Sequence, residues 1–215
     1  VILLFGLWFY FQAMMPNSGS SRNTPTPSTT SSPMAENDAK TDQKKPTSAV
    51  LTPELRKQLV TVVEVLKPRA LFEKFLAYRQ AIGMEALPLD SRAFPILMQR
   101  ARAGKLIALI ADRDLSSSGI DVEFFGGVAL MPAGPAIIAI RTGIPLVTAF
   151  VSYTESGIHI DLREIAIPTD GEEESRIKVA VQLCADNFAV GNTASPHEWH
   201  MMQRIWVDRD FVERR

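Results

Sequence analysis

The stretch Lys105–Pro132, KLIALIADRDLSSSGIDVEFFGGVALMP, decides the fold class. Leu106 to Ala111 is an unbroken apolar run that stops at Asp112-Arg113-Asp114. A short run without polar alternation reads as a strand buried on both faces, and charges just past its carboxyl end lie where open α/β sheets place their ligands. Ser116 to Gly119 is loop chemistry, and Asp121 and Glu123 then alternate with Ile120 and Val122 along an extended segment. Phe124-Phe125-Gly126-Gly127 closes the unit with two large apolar groups and a flexible hinge. Asp112, Asp114, Asp121 and Glu123 therefore share one short stretch with the Arg113 guanidinium. Two readings stand side by side: a ligand site at a strand end, or a solvated loop with an internal Arg–carboxylate pair.

Working outward, helix and strand patterns alternate. Thr52-Pro53-Glu54 is a helix-start signature, but Leu59 to Leu66, LVTVVEVL, is β-branched and aliphatic and predicts a strand carrying Glu64. After Lys67-Pro68, ALFEKFLAYRQAIG predicts an amphipathic helix with Leu71, Phe75, Tyr78 and Ile82 on one face, Arg79 beside that face and Gly83 as the stop. Met84 to Leu89 predicts a short strand, and Ser91 caps a helix running to about Ala103. Beyond the central stretch come a helix opened by Pro132 to Pro135, an apolar strand from Pro145 to Tyr153, and an alternating strand, Gly157 to Ile167, paired with it across Thr154-Glu155-Ser156. A helix over Glu172 to Ala189 and a last one capped at Ser195-Pro196, carrying HEWHMMQRIW, complete the order. The expected fold is α/β, a mixed and mostly parallel central sheet flanked by helices.

At 215 residues, 46% hydrophobic and 22% charged, the chain is ample for one core and marginal for two. Its net charge of -1, with no basic stripe interleaved with aromatics, argues against a nucleic-acid partner and makes any anion binding local. The single Cys184 excludes an intramolecular disulfide, fits a reducing compartment and reads as a buried structural thiol. Residues 1–15, VILLFGLWFYFQAMM, are apolar throughout yet shorter than the ~20 residues a membrane-spanning helix needs, so they are expected to be the remnant of a membrane anchor. Residues 16–50, rich in Ser, Thr and Pro, predict a disordered linker, which leaves 51–215 as the folded domain. Met34 inside that linker could itself be the start of a soluble protein.

Three histidines are available as a general base. His159 and Glu164 match the spacing His-x4-acid, but residues five apart on a strand point to opposite faces. His197 and His200 lack the cysteines or carboxylates of a metal site, so packing with Trp199 and Trp206 is their expected use. A Gly-rich phosphate loop, a GxSxG elbow and an HExxH motif are all absent, which removes nucleotide-dependent transferases, serine hydrolases of that type and zincins from the leading candidates.

Four segments together carry a resemblance: TVVEVLKPRALFEKFLAYRQAIGMEALPL, AGKLIALIADRDLSSSGIDVEFFGG, MPAGPAIIAIRTG and PHEWHMMQRIW. From about Leu59 to Arg209 the chain resembles the phosphatidylinositol mannoside acyltransferases, within the wider lipid A (lauroyl and myristoyl) acyltransferase family. That resemblance implies a glycerolipid-acyltransferase-like α/β fold, peripheral association with the cytoplasmic face of the plasma membrane, and acyl transfer from acyl-CoA to a mannose hydroxyl of a membrane glycolipid. It implies no cofactor beyond the acyl-CoA donor. By position, Glu64 and Arg79 match groove-lining residues, with Arg79 suited to an anionic headgroup or the CoA phosphates. Asp112, Arg113 and Asp114 match the family's DRD block. Asp121 or Glu123 matches the acid before FFG, which orients the base or binds acceptor hydroxyls, and Phe124 and Phe125 would wall an acyl-chain groove. The family also carries a His-x4-Asp motif of the kind HSGNWD upstream of TVVEVLKP, and no histidine lies between Val1 and Leu59. The expectation is a carboxyl-terminal part of such an enzyme, incomplete on its amino-terminal side and poorly active. Secondary acylation of lipid A and a noncatalytic acyl-CoA-binding module are the alternatives.

Overall fold

The computed structural model describes residues 2–5, 58–65, 67–114, 118–155, 157–201 and 204–207. Its elements are β1 (Ile2–Phe5), β2 (Leu59–Val63), α1 (Arg69–Ala81), β3 (Glu85–Pro88), α2 (Ala93–Arg102), β4 (Leu106–Ile110), β5 (Ile120–Phe124), β6 (Gly127–Met131), α3 (Gly134–Thr142), β7 (Leu146–Thr154), β8 (Gly157–Glu164), α4 (Glu173–Ala194) and a 3-10 turn, Pro196–Glu198. Six strands form one sheet in the order β3-β2-β4-β1-β7-β8, parallel except for β8, and β5 and β6 form a separate hairpin. The expected mixed, mostly parallel α/β architecture is what the chain adopts.

Connection handedness explains which helix lies where. From β3 to β4 through α2, and from β4 to β7 through α3, the chain moves one way along the sheet; from β2 to β3 through α1 it moves the other way. Right-handed crossovers therefore send α2 and α3 to one face and α1 to the opposite face. Side-chain parity agrees. Val60, Ile107, Ala111 and Leu146 pack with Leu97 and Met98 of α2, Ile138 of α3 and Val181 and Phe188 of α4. The alternate residues of the same strands form two smaller clusters, Val63 and Ala86 with Phe72 of α1, and Leu59, Ala108, Ala149 and Val151.

Several sequence expectations change. Ile2–Phe5, placed above in a membrane-anchor remnant, pairs in parallel with both β4 and β7 as a strand inside the sheet. A short apolar run fits a buried strand as well as a membrane-directed segment. The rest of residues 1–15, the expected linker 16–50 and the Thr52 helix start lie outside the described residues. β2 stops at Val63 instead of continuing to Leu66. Ser91 does not cap α2; the Asp90 carboxylate accepts the Arg92 N–H at 2.9 Å ahead of a helix that begins at Ala93. α4 runs five residues past the expected Ala189, to Ala194. The predicted final helix is only the 3-10 turn, because the chain beyond it is drawn across the hairpin, where Trp206 bridges Ala129. Among the described residues no helix is long and apolar enough to cross a membrane.

Candidate functional site

The strand order reverses direction between two neighbours: the chain leaves β2 toward β3 and leaves β4 toward β7. With the following helices on opposite faces, the carboxyl ends of β2 and β4 form a topological switch point, the place where open α/β sheets bind ligands. Glu64 follows β2 there and is exposed. The register Thr61↔Ala108, carried on along both strands, sets Glu64 level with Ala111 and one step from Asp112. The apolar run and the charges that end it thus reach this position because β4 lies inside the sheet.

Asp112 is almost completely enclosed, at 2% exposure. Arg113 is half-buried, and its enclosed Nη1 has no hydrogen-bond partner. An enclosed cationic donor without an acceptor is chemically matched to an anionic group such as a phosphate. Asp114 joins the strand end to the hairpin: its N–H donates to the Leu130 carbonyl at 2.8 Å. A Cβ at Gly119 would lie 3.0 Å from the Asp114 Cβ and 3.1 Å from that of Leu130, so glycine permits the loop to close on this contact.

The hairpin is a two-sided ribbon. Val122, Phe124, Ala129 and Met131 are buried, while Asp121 and Glu123 point outward and are exposed. Phe125 and Gly126 form its tip with φ of 52° and 77°, the left-handed pair required by a two-residue hairpin turn. A phenylalanine there is strained, and its ring is held by neighbours: 4.7 Å from the Phe124 centroid and 5.8 Å from that of Trp199. Trp199 also packs edge-on against Phe124 at 5.7 Å and Trp206 at 6.4 Å. The Trp206 indole N–H donates to the Phe124 carbonyl at 2.8 Å, and the Val207 N–H to that of Val128 at 2.8 Å. On the other edge the Gln182 side chain stands in for a neighbouring peptide, accepting the Glu123 N–H at 2.9 Å and donating to the Glu123 carbonyl at 3.0 Å.

The nine sequence-predicted site residues therefore separate into groups. Glu64 follows the carboxyl end of β2, and Asp112, Arg113 and Asp114 follow that of the neighbouring β4. Asp121 and Glu123 lie on the outer face of the hairpin, directed away from its buried side. Phe124 belongs to the core, and Phe125 forms the half-exposed tip. Arg79 is buried at the opposite end of the sheet: α1 joins two parallel strands and must run against them, and the Arg79 carbonyl accepts the N–H of Met84, the residue before β3, at 3.0 Å. The two phenylalanines are one core ring and one half-exposed tip ring, in edge contact at 4.7 Å and both against Trp199.

Cys184 is buried beside a small apolar cavity lined by Ala111, Met131, Pro135 and Val181, and burial pushes its thiol up to about 12. Such a thiol is packing material, as its sequence context indicated. Sequence reasoning missed Glu198. This carboxylate is 7% exposed; Oε1 accepts the Tyr153 N–H at 2.8 Å and lies 3.8 Å from His197 Nε2, and Oε2 is enclosed without a hydrogen-bond partner. Its only sequence signal was a lone acid within an aromatic-rich segment. Among the described residues no group of three or more His, Cys, Asp or Glu side chains could hold a metal ion.

An open α/β sheet with charged residues just past the ends of the strands at its switch point has the layout in which such sheets place their ligands. The chain belongs to the bacterial lipid A biosynthesis acyltransferase family, whose model matches residues 49–208. It is 35% identical over 150 residues to a phosphatidylinositol mannoside acyltransferase of Mycobacterium tuberculosis, covering 68% of this chain and 46% of that protein. A phosphatidylinositol mannoside acyltransferase of Mycolicibacterium smegmatis is 36% identical over 158 residues, 72% of this chain and 51% of the relative. The chain thus spans about half the length of these curated relatives.

Proposed function

We propose that this chain binds the substrates of an acyl transfer in which a fatty acyl group passes from acyl-CoA to a mannose hydroxyl of phosphatidylinositol mannoside, in glycolipid biosynthesis. In that reaction the hydroxyl oxygen attacks the thioester carbonyl, a C–O ester bond forms, the C–S bond breaks, and the departing CoA sulfur receives the proton taken from the hydroxyl. The observation that carries the reading is the enclosed Asp112 next to Arg113, whose enclosed Nη1 has no hydrogen-bond partner, at the switch point and inside the segment shared with relatives that bear this activity in their names. Arg113 meets an anionic group of donor or acceptor, while Asp112 and Glu64 supply acceptors for sugar hydroxyls.

Proton removal is the weak step. By resemblance it belongs to the His-x4-Asp motif, and no histidine lies between Val1 and Leu59. A general base contributes typically 10²–10⁴-fold, so the chain binds its substrates and turns them over near background. The site works at the cytoplasmic face of the plasma membrane, with the chain associated peripherally, and needs no cofactor beyond the donor.

Labelled palmitoyl-CoA, supplied with phosphatidylinositol mannoside or with a lipid A precursor, tests the reading. Slow acylation of the mannoside alone, lost in Asp112→Ala with Arg113→Ala, is expected. Acylation of the lipid A precursor instead would assign the chain to the other branch of its family. Binding of palmitoyl-CoA with zero turnover would identify a noncatalytic module, a reading that the missing histidine specifically favours.

A further inference from the structure

We propose that β8 is a self-association edge, through which a second copy of this chain adds its own β8 antiparallel to the first and continues the sheet across a two-fold axis. Among the described residues β8 is the last strand of its sheet, paired only with β7. Eight consecutive residues keep unbroken register with β7, and the strand contains neither proline nor lysine. Sheet edges are normally blunted by bulges, prolines or charged residues, lysine above all; this one has unbroken register and no proline or lysine, and its Asp161 and Arg163 pair with each other on the face opposite the stripe.

Backbone parity shows what the edge offers. The Ile165 N–H donates to the Leu146 carbonyl at 2.8 Å, so the odd-numbered backbone groups of this strand are turned toward β7. The even-numbered groups, those of Ile158, Ile160 and Leu162, are turned away from it. Their side chains share one face and stay unusually open for strand aliphatics: 54% for Ile158, 41% for Ile160 and 56% for Leu162. Tyr153, the cross-strand partner of Ile158, extends the stripe at 49%. The same three residues thus present outward hydrogen-bonding groups and exposed apolar side chains.

One register satisfies both features at once. With Ile160 opposite the partner's Ile160, Ile158 faces the partner's Leu162 and Leu162 faces the partner's Ile158, a contiguous apolar block in which every opposed pair has its N–H and C=O turned toward the other strand. On the reverse face His159 then stands opposite the partner's Asp161, and the relation repeats by symmetry. A shift by two places Ile158 against the partner's Glu164 and keeps only the pairing of Ile160 with Leu162, so part of the apolar match is lost. An isologous contact of this kind closes after two copies. A lipid surface is the poorer occupant, because the charges flanking the stripe on its own face and turn are acidic, Glu164 and Glu155, and anionic membranes repel them.

Sedimentation from low to high micromolar concentration is expected to show 23.8 kDa monomers passing to dimers of twice that mass. Ile160→Lys places two ammonium groups at the axis and should hold the chain monomeric, with an unchanged circular dichroism spectrum because the position is already open to solvent. Hydrogen exchange gives an independent readout on the unaltered chain. Amides of Ile158, Ile160 and Leu162 should gain protection as concentration rises, while those of His159 and Asp161, bonded to β7, stay protected throughout. Monomers at every concentration would overturn the proposal, as would dimers indifferent to Ile160→Lys or exchange at the even positions that ignores concentration. Monomers whose flotation with anionic vesicles is lost in Ile160→Lys would assign the stripe to lipid and overturn it equally.

Discussion

The two faces of the sheet are built differently. One face is covered by α2, α3 and α4, whose side chains interlock with Val60, Ile107 and Leu146 and with the buried side of the hairpin in a single large cluster. Among the described residues the other face carries α1 alone, over two small clusters, and ends at the open aliphatic stripe of β8. Both faces come from the same strands, so apolar content per strand does not separate them. Direction of travel does: crossovers moving toward β7 deposit helices on the first face and the one moving toward β3 deposits its helix on the second. Glu64 and Asp112 lie at the strand ends where those directions part.

This asymmetry can be broken or sharpened by substitution. Phe124→Ala, in the thick layer, removes a fully buried ring that also braces Phe125 and Trp199, and should cost about 3–5 kcal/mol in denaturant unfolding. Phe72→Ala, under α1, opens a hole in a cluster of few members that can relax around it, and should cost no more than ~3 kcal/mol. If the two losses prove equal, the faces are energetically alike and the comparison fails. Gly191→Ala adds a methyl that would collide with the Phe150 ring, and overpacking of that kind should lower stability by roughly 1–3 kcal/mol. Phe125→Asn should shift stability by less than about 1 kcal/mol, because relief of its positive φ offsets the lost ring contacts.

Cys184 reports on the thick layer by pH. Its thiol is raised from 9.0 to about 12 by burial, so the neutral form is favoured in the fold. A raised acid contributes stability in full below the unfolded value and loses it as pH climbs toward the folded one; the window is therefore pH 9 to 12. Alkylation of native protein at pH 8 should be negligible and should become rapid on unfolding. Ready labelling of the folded chain would show a looser layer than the packing describes.

Sequence made the central strand, the helices α1 to α4 and the β7–β8 pair legible, since each rests on local periodicity or on one charged terminus. β1 was not legible, because Ile2–Phe5 acquires its meaning only from β4 and β7, far away in the chain. The stretch after Pro196 reads as helix by spacing, yet Trp206 is drawn to the Phe124 carbonyl and Ala129, a tertiary demand that overrides the pattern. At the site, DRD at a strand end could be located from its neighbours alone. The outward turn of Asp121 and Glu123, the distant placement of Arg79 and the burial of Glu198 each depend on which face or end of an element the fold uses.

The central claim is that the charged group at the switch point receives an anionic acyl donor. Isothermal titration of palmitoyl-CoA into the chain and into its Arg113→Ala variant tests it most directly. A lost charge-assisted hydrogen bond of about 1.5–3 kcal/mol predicts affinity roughly 10–100-fold weaker in the variant. Equal affinity of the two proteins for the thioester, with both folded, would contradict the account.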